Sequence, residues 1–326
     1  MSDPHLHTMP RTRSLLLLGL LAFHIVALGQ DGQLVERAPY TIPEASIADM
    51  GGHSPQLDSN LAQVKMQRIT YLSDGLKVKG YLIEPTAPGP HPCIIFNRGG
   101  NRDFGMITDG LLLRYLVPMA SWGYVVVASQ YRGVDGGEGQ EEFGGADVND
   151  VLNLLPVLAA LPTADTARVG MVGGSRGGLM TYLALTRTTR IKAAVVLAGM
   201  ADAFRNVAER PEMETRVMAE LIPGYATHRD SLLATRSPVR WADRLCPTTP
   251  ILLLHGTADW RVSPRDALDM ADALYAAKHP FRLLMLEGGD HGLREYRPEV
   301  DRATRDFLDS YVRDGRAWPS LEPHGR

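Results

Sequence analysis

Cysteine and dense clusters of positive charge, which often identify a protein class, are nearly missing from this chain of 326 residues. It has only two cysteines, Cys93 and Cys246, and they do not form the spacing of a metal site. No dense block of Lys or Arg is present and the net charge is −3, so nucleic acid is not expected as a partner. The composition, with 44% hydrophobic and 22% charged residues, excludes a mostly disordered chain. A globular protein with a substantial core remains.

The N-terminus departs from this ordinary composition. A basic start at residues 11–13 precedes "SLLLLGLLAFHIVALG", residues 14–29, which ends in small residues. This is the layout of a secretory signal peptide, and the apolar part is shorter than the ~20 residues of a membrane span. We therefore predict a signal peptide over residues 1–29 and a secreted or periplasmic mature chain without a stable membrane span. An uncleaved membrane anchor is the alternative, and Met9 is an alternative start.

The two cysteines allow either a disulfide or two separate thiols. An exported chain can form a disulfide. However, Cys93 begins an apolar strand pattern and Cys246 lies in a loop before another one. We expect two buried thiols.

The pattern along the chain predicts an α/β fold. Residues 30–66 are polar and contain prolines and a Gly-Gly pair, so we expect an N-terminal extension with little regular structure, followed by one domain over residues 67–326. Asp74-Gly75 between two apolar segments indicates a β-hairpin. After it, short apolar runs alternate with helical patterns. The predicted strands are Cys93–Asn97, Tyr124–Ala128, Val169–Val172, Ala193–Leu197, Ile251–Leu254 and Leu283–Leu286. This alternation favours a mostly parallel sheet of about eight strands with helices on both faces.

Residues 200–243 interrupt the alternation with extra helical patterns and three prolines. Segments of this length more often have a function than serve only as connections. We expect a helical insertion that either forms a partial lid or is only a longer connection.

The stretch "VGGSRGG" places one serine, Ser175, among glycines between a predicted strand and a predicted helix. Glycines there can simply relieve crowding in a sharp turn. The same spacing, Gly-x-Ser-x-Gly, is that of a nucleophile elbow, where a strained turn exposes a serine hydroxyl above the sheet.

A serine nucleophile needs a base and a group that orients the base. Asp259 follows the strand Ile251–Leu254, and His291 follows the strand Leu283–Leu286. Serine, aspartate and histidine thus occur in that order, each at the carboxyl end of a predicted strand. His255 is an alternative base. Of the alternative acids, Glu287 is a stronger candidate than Asp290, which adjoins His291.

Acyl transfer also needs donors for the developing oxyanion. The backbone N–H of Arg176, at the start of a helix, is the first candidate. Gly99 and Gly100, after the strand ending at Asn97, permit close backbone approach and supply the second. The Arg98 side chain either contacts substrate or is a bystander.

With these residues, the region of about 67–313 resembles the catalytic domain of the prolyl oligopeptidase family of serine peptidases. The resemblance rests on "SQYRGVDGGEGQEEFGGADVNDV", "RVGMVGGSRGGLMT", "SPVRWADRLCPTTPILLLHGTADWRVSP" and "GGDHG". It implies the α/β-hydrolase fold, with Ser175 as nucleophile, Asp259 as orienting acid and His291 as base. Larger members carry a β-propeller before this domain, which we do not expect here. Arg98 stands where relatives often have Tyr or His. Arg176 stands where the usual residue is Tyr.

The resemblance implies a serine hydrolase that cleaves small peptides through an acyl-enzyme, and the N-terminal pattern adds the expectation that it is secreted. A carboxylesterase acting on small esters uses the same residues and is the alternative. A non-catalytic binding protein on the same fold would have a disrupted triad, whereas all three residues are present. No metal or organic cofactor is implied, and the oligomeric state is left open.

Overall fold

The computed structural model describes residues 30–324, and one mixed sheet organises them. The strands are β1 Leu34–Tyr40, β2 Val64–Ser73, β3 Leu76–Pro85, β4 His91–Asn97, β5 Val125–Ser129, β6 Ala164–Gly174, β7 Ile191–Leu197, β8 Ile251–Gly256 and β9 Phe281–Leu286. Their spatial order is β1-β2-β3-β5-β4-β6-β7-β8-β9. The described sheet therefore has nine strands, against about eight predicted.

The sheet is antiparallel at one edge and parallel elsewhere. β1, β2 and β3 pair antiparallel in sequence, and β3 joins β5 in the same way. From β5 through β4 to β9 every pair is parallel. At the predicted hairpin, Asp74 and Gly75 have φ of 52° and 75°, as a two-residue turn of type I′ requires. The hairpin and the mostly parallel sheet are confirmed.

Helices cover both faces of the sheet. The α-helices are Glu44–Asp49, Pro55–Ala62, Asp109–Leu111, Val117–Ser121, Val148–Leu152, Leu154–Ala159, Arg176–Leu185, Ala203–Glu209, Pro211–Met213, Ala219–Leu221, Tyr225–Ala234, Pro264–Ala276 and Arg297–Leu308. Single π-helical segments occupy Leu112–Leu116, Glu214–Met218 and Asp309–Arg313, and short 3₁₀ turns occupy Pro238–Arg240 and Ala242–Arg244. Two hydrophobic clusters, one on each side, bury strands such as β5 and β8 completely.

The N-terminal segment differs from the prediction. Residues 30–66 were expected to have little regular structure, yet they contain β1 and two helices, and β1 extends the sheet through its pairing with β2. The predicted boundary at residue 67 falls inside β2. β1 is an edge strand with mostly exposed side chains, so its sequence lacks the apolar run by which the inner strands were recognised. Ile42 and Ile47, each 3% exposed, anchor the segment in the core.

The two cysteines are free and buried, which confirms the expected pair of thiols. Burial raises the pKa of Cys93 to about 12. Over residues 30–324 no helix has the length and apolar character needed to span a bilayer. The predicted signal peptide, residues 1–29, lies outside the described residues.

We expect Ile42→Ala to lower the free energy of unfolding by about 2–5 kcal/mol, because a buried isoleucine is truncated to leave a cavity. Urea denaturation measures the change. Val35→Ala, in the same segment but 47% exposed, is the control and should change stability by less than about 0.5 kcal/mol. Equal, negligible effects of both substitutions would show that residues 30–66 are not part of the folded unit.

Candidate active site

Ser175 lies on a strained turn between β6 and the helix Arg176–Leu185. Its φ of 56° and ψ of −123° fall in a region that residues other than glycine rarely adopt. The backbone around it holds this conformation. The Ser175 N–H donates to the Leu197 carbonyl over 2.9 Å, and the Ser175 carbonyl accepts from the N–H groups of Gly178 and Met200.

The glycines beside Ser175 are required by space. A Cβ on Gly177 would lie 2.0 Å from the Asn97 carbonyl oxygen, and one on Gly173 would lie 2.1 Å from the Gly177 carbonyl oxygen. Because these contacts involve backbone atoms, a side chain cannot be accommodated by a rotamer change. The local geometry is therefore that of a nucleophile elbow, with the strand and the helix packed closely about the serine.

Asp259 and His291, from the loops after β8 and β9, are joined directly. His291 Nδ1 and Asp259 Oδ2 are 2.7 Å apart. The other carboxylate oxygen, Oδ1, accepts from the backbone N–H groups of Arg261 and Val262 at 2.8 and 3.1 Å. Burial alone would raise the pKa of Asp259, but hydrogen bonds from His255 and His291 outweigh it and hold the pKa well below the usual range. A carboxylate ionised in this way fixes the tautomer and orientation of the imidazole.

His255 also contacts this carboxylate but does not face the site. Its Nε2 lies 3.2 Å from Asp259 Oδ2 and 3.0 Å from the Val262 carbonyl oxygen, and its side chain is buried. His291, in contrast, borders the cavity beside Ser175. Of the alternative acids, Asp290 accepts from the Gly292 N–H, and within residues 30–324 neither its carboxylate nor that of Glu287 pairs with His291. Asp259 is thus the carboxylate that the structure pairs with His291.

Ser175 and His291 border the same two cavities. One has a volume of about 290 Å³ and extends toward Leu293 and Arg297. The other has a volume of about 170 Å³ and is bordered by residues of the 200–243 insertion, among them Met200 and Asn206. The insertion therefore forms one wall of the site. Within residues 30–324 no hydrogen bond joins the Ser175 hydroxyl to the His291 imidazole, a contact that often tightens only when substrate is bound.

The loop after β4 passes next to the serine. A Cβ on Gly99 would lie 3.1 Å from the Ser175 Cβ, so the loop backbone approaches the hydroxyl closely. Gly100 has a φ of 69°, and a Cβ there would lie 2.0 Å from the Phe104 carbonyl oxygen. Arg176 is the first residue of its helix, and the N–H of a first helical residue has no acceptor within the helix. The predicted oxyanion donors thus border the serine from two sides.

Two buried arginines hold this loop by its carbonyl groups. Arg98, with 0% exposure, donates to the carbonyl oxygens of Gly99, Arg102 and Gln130. The Arg176 side chain donates to the Gly100 carbonyl over 3.0 Å. Arg98 was a candidate for substrate contact, but its complete burial gives it a supporting role in the loop instead.

Buried carboxylates complete the arrangement. Glu141 lies 2.5 Å from the Arg176 guanidinium and also accepts from the Arg102 N–H, while Asp147 pairs with the other end of Arg176. Burial would lower the pKa of Arg176, yet these two carboxylates raise it above its ordinary value. Neither residue is assigned a role at the site from the sequence: Glu141 lies in a glycine-rich segment without periodicity, and Asp147 only begins the helical pattern of residues 147–160.

Residues 30–324 contain no group of three or more His, Cys, Asp or Glu side chains placed to hold a metal ion.

Known proteins similar to this chain share both sequence and fold. The model of the "Prolyl oligopeptidase family" matches residues 114–315. An uncharacterized peptidase, YtmA of Bacillus subtilis, is 34% identical over 201 residues, which cover 61% of this chain and 76% of that protein.

Solved structures extend the comparison. A puromycin-hydrolyzing peptidase of Mycobacterium tuberculosis has a TM-score of 0.65 and 27% identity over 78% of this chain and 40% of its own. An acylaminoacyl peptidase of Pyrococcus horikoshii, at 22% identity, shares the fold with a TM-score of 0.68 over 80% of this chain and 44% of its own. This chain spans less than half the length of both.

The family match includes β6 with Ser175 and the loops that carry Asp259 and His291, and the solved structures share the fold. They confirm the α/β-hydrolase fold and the resemblance inferred from the motifs. The chain belongs to the prolyl oligopeptidase family of serine peptidases.

Proposed function

We propose that this protein cleaves peptide bonds by acyl transfer to Ser175. The observation that carries the proposal is the hydrogen bond between Asp259 and His291, because His291 borders the same cavity as Ser175. An oriented imidazole beside a serine on a strained turn is the arrangement that makes a hydroxyl nucleophilic.

In the first half of the reaction, the Ser175 oxygen attacks the scissile carbonyl carbon while His291 accepts the hydroxyl proton. The tetrahedral intermediate collapses, the C–N bond breaks, and His291 returns the proton to the leaving amine. In the second half, water adds to the acyl-enzyme with His291 again acting as base, and the acid product leaves. Asp259 stays ionised throughout, in keeping with its lowered pKa, and stabilises the imidazolium.

The negative charge on the carbonyl oxygen is stabilised by the N–H of Arg176 and an N–H of the Gly99-Gly100 loop. Such donors are most effective when they are fixed before the reaction. The buried pairing of Arg176 with Glu141, and the contacts of both with the loop, supply this rigidity. Glu141 thus acts as a positioning residue.

The relatives favour amide bonds as the target, since their printed names are those of peptidases. Ester cleavage by the same residues is the competing outcome of the assay below. We further propose export of the protein, which rests on the sequence pattern of residues 11–29 alone.

Ser175→Ala should remove labelling by a fluorophosphonate probe and lower peptide hydrolysis at least about 10⁴-fold, because the nucleophile is lost. Purified wild type and variant are assayed side by side on matched p-nitrophenyl esters and peptide p-nitroanilides. Hydrolysis of both classes by the wild type supports the peptidase. Ester hydrolysis alone would favour the esterase, and labelling that survives the substitution would exclude Ser175 as nucleophile.

Glu141→Gln should lower kcat by about ten- to a hundredfold with little change in KM, because the oxyanion donors lose their fixed position. Glu142→Gln is the matched control. That neighbouring carboxylate accepts from the Ala146 N–H instead of the loop, so kcat should stay within about threefold of wild type. Circular dichroism confirms that both variants fold. An unchanged kcat in folded Glu141→Gln would contradict the positioning role.

A further inference from the structure

The larger cavity beside Ser175 is mostly apolar. Its volume is about 290 Å³, near the lower end of the range for small-molecule pockets, which suits one amino-acid residue. The apolar part of its wall consists of Phe96, Leu111, Tyr115, Leu197, Leu293 and Val300. Ser175 and His291 also border it, so whatever occupies the cavity lies next to the reacting atoms.

The charged residues that line this cavity are all arginines. Arg114, Arg261 and Arg297 contribute, and no aspartate or glutamate is among the described residues of the lining. Arg297 is already engaged: it pairs with Asp301 over 2.8 Å and its guanidinium lies 4.2 Å from the centre of the Tyr115 ring.

Arg114 and Arg261 differ from Arg297 in their ion pairing. Within residues 30–324 neither side chain forms an ion pair with a carboxylate, although both are partly buried. The Arg261 guanidinium rests near the exposed rings of Phe104 and Trp260, at 5.6 and 5.1 Å from their centres. Two guanidinium groups beside an apolar cavity thus lack a carboxylate partner in the described part of the chain.

The chemistry of this lining selects its ligand. Guanidinium groups bind carboxylates through charge-assisted hydrogen bonds, and the apolar wall accepts a hydrophobic side chain. In a peptide, these two features occur together in an apolar C-terminal residue. The α-carboxylate of a peptide always lies on the amine side of the scissile bond, so a residue bound in this way is on the leaving side.

We propose that the cavity binds the free carboxylate and side chain of an apolar C-terminal residue, so that short peptides with a free C-terminus are preferred substrates. The inference rests on the proposed function, because it assigns the leaving-group side of the same reaction. The C–N bond before that residue breaks, its nitrogen takes the proton from His291, and the free amino acid leaves with its carboxylate on Arg114 and Arg261.

The test compares benzyloxycarbonyl-Ala-Phe with its C-terminal amide. The amide lacks the negative charge of the carboxylate and otherwise has nearly the same shape. We expect the wild type to cleave the free acid with a kcat/KM at least about tenfold higher, in line with the strength of hydrogen bonds to charged groups. Arg114→Met should bring the two substrates to within about threefold of each other. Arg302→Met, which removes an exposed charge outside the cavity, should keep the full preference.

Equal cleavage of the two substrates by the wild type would overturn the inference, as would a preference that survives in the double variant Arg114→Met, Arg261→Met. A variant that loses activity on both substrates in equal measure would show a structural role for Arg114 and would also count against it. Arg302→Met should hydrolyse p-nitrophenyl acetate, a small neutral ester, at the wild-type rate, which checks that the triad of the control variant is intact.

A binding measurement separates this inference from the proposed function. Calorimetric titration of Ser175→Ala with 3-phenylpropionate and with 3-phenylpropanamide does not depend on catalysis. Binding of the acid alone, lost in a variant that also carries Arg114→Met, supports the site even if no peptide is cleaved. No binding of the acid, or equal binding of acid and amide, would overturn it.

Discussion

The strained turn at Ser175 is the constraint on which the site depends. A residue with positive φ at the end of β6 places the hydroxyl at the sheet edge and directs the next N–H toward the same space. The turn is possible only because Gly173 and Gly177 leave room for the strand and helix to approach. Asp259 and His291 reach this point because parallel strands end at one edge of the sheet. The arrangement of these three residues is thus a consequence of the topology as much as of their side chains.

The second constraint is the buried charge cluster behind the loop of Gly99 and Gly100. Buried ion pairs contribute little net stability, because desolvation offsets most of the attraction. Their value here is geometric: Arg98 and Arg176 hold consecutive carbonyl groups of the loop, and Glu141 joins Arg176 to the loop's far end. Arg98 and Arg176 therefore both support the backbone next to Ser175.

The sequence predicted the inner strands, the hairpin and the pairing of Asp259 with His291, because each has a local signature: an apolar run, an Asp-Gly turn, or a polar residue just after a strand. It did not predict β1, whose pairing with β2 is non-local and whose exposed side chains carry no pattern. Nor did it identify Glu141, since a buried carboxylate is recognisable only once its arginine partner is located. Sequence reasoning therefore misses residues whose role depends on a partner far away along the chain.

The central claim is that Ser175, oriented by the elbow, reacts in front of donors fixed by the Arg176–Glu141 pair. A crystal structure of the covalent phosphonate adduct tests it most directly. The account predicts phosphorus bonded to the Ser175 oxygen, with the phosphoryl oxygen about 2.7–3.1 Å from the Arg176 N–H and from an N–H of the Gly99-Gly100 loop. It also predicts His291 Nε2 beside the Ser175 oxygen. A phosphoryl oxygen pointing to solvent, or an imidazole turned away from the adduct, would contradict it.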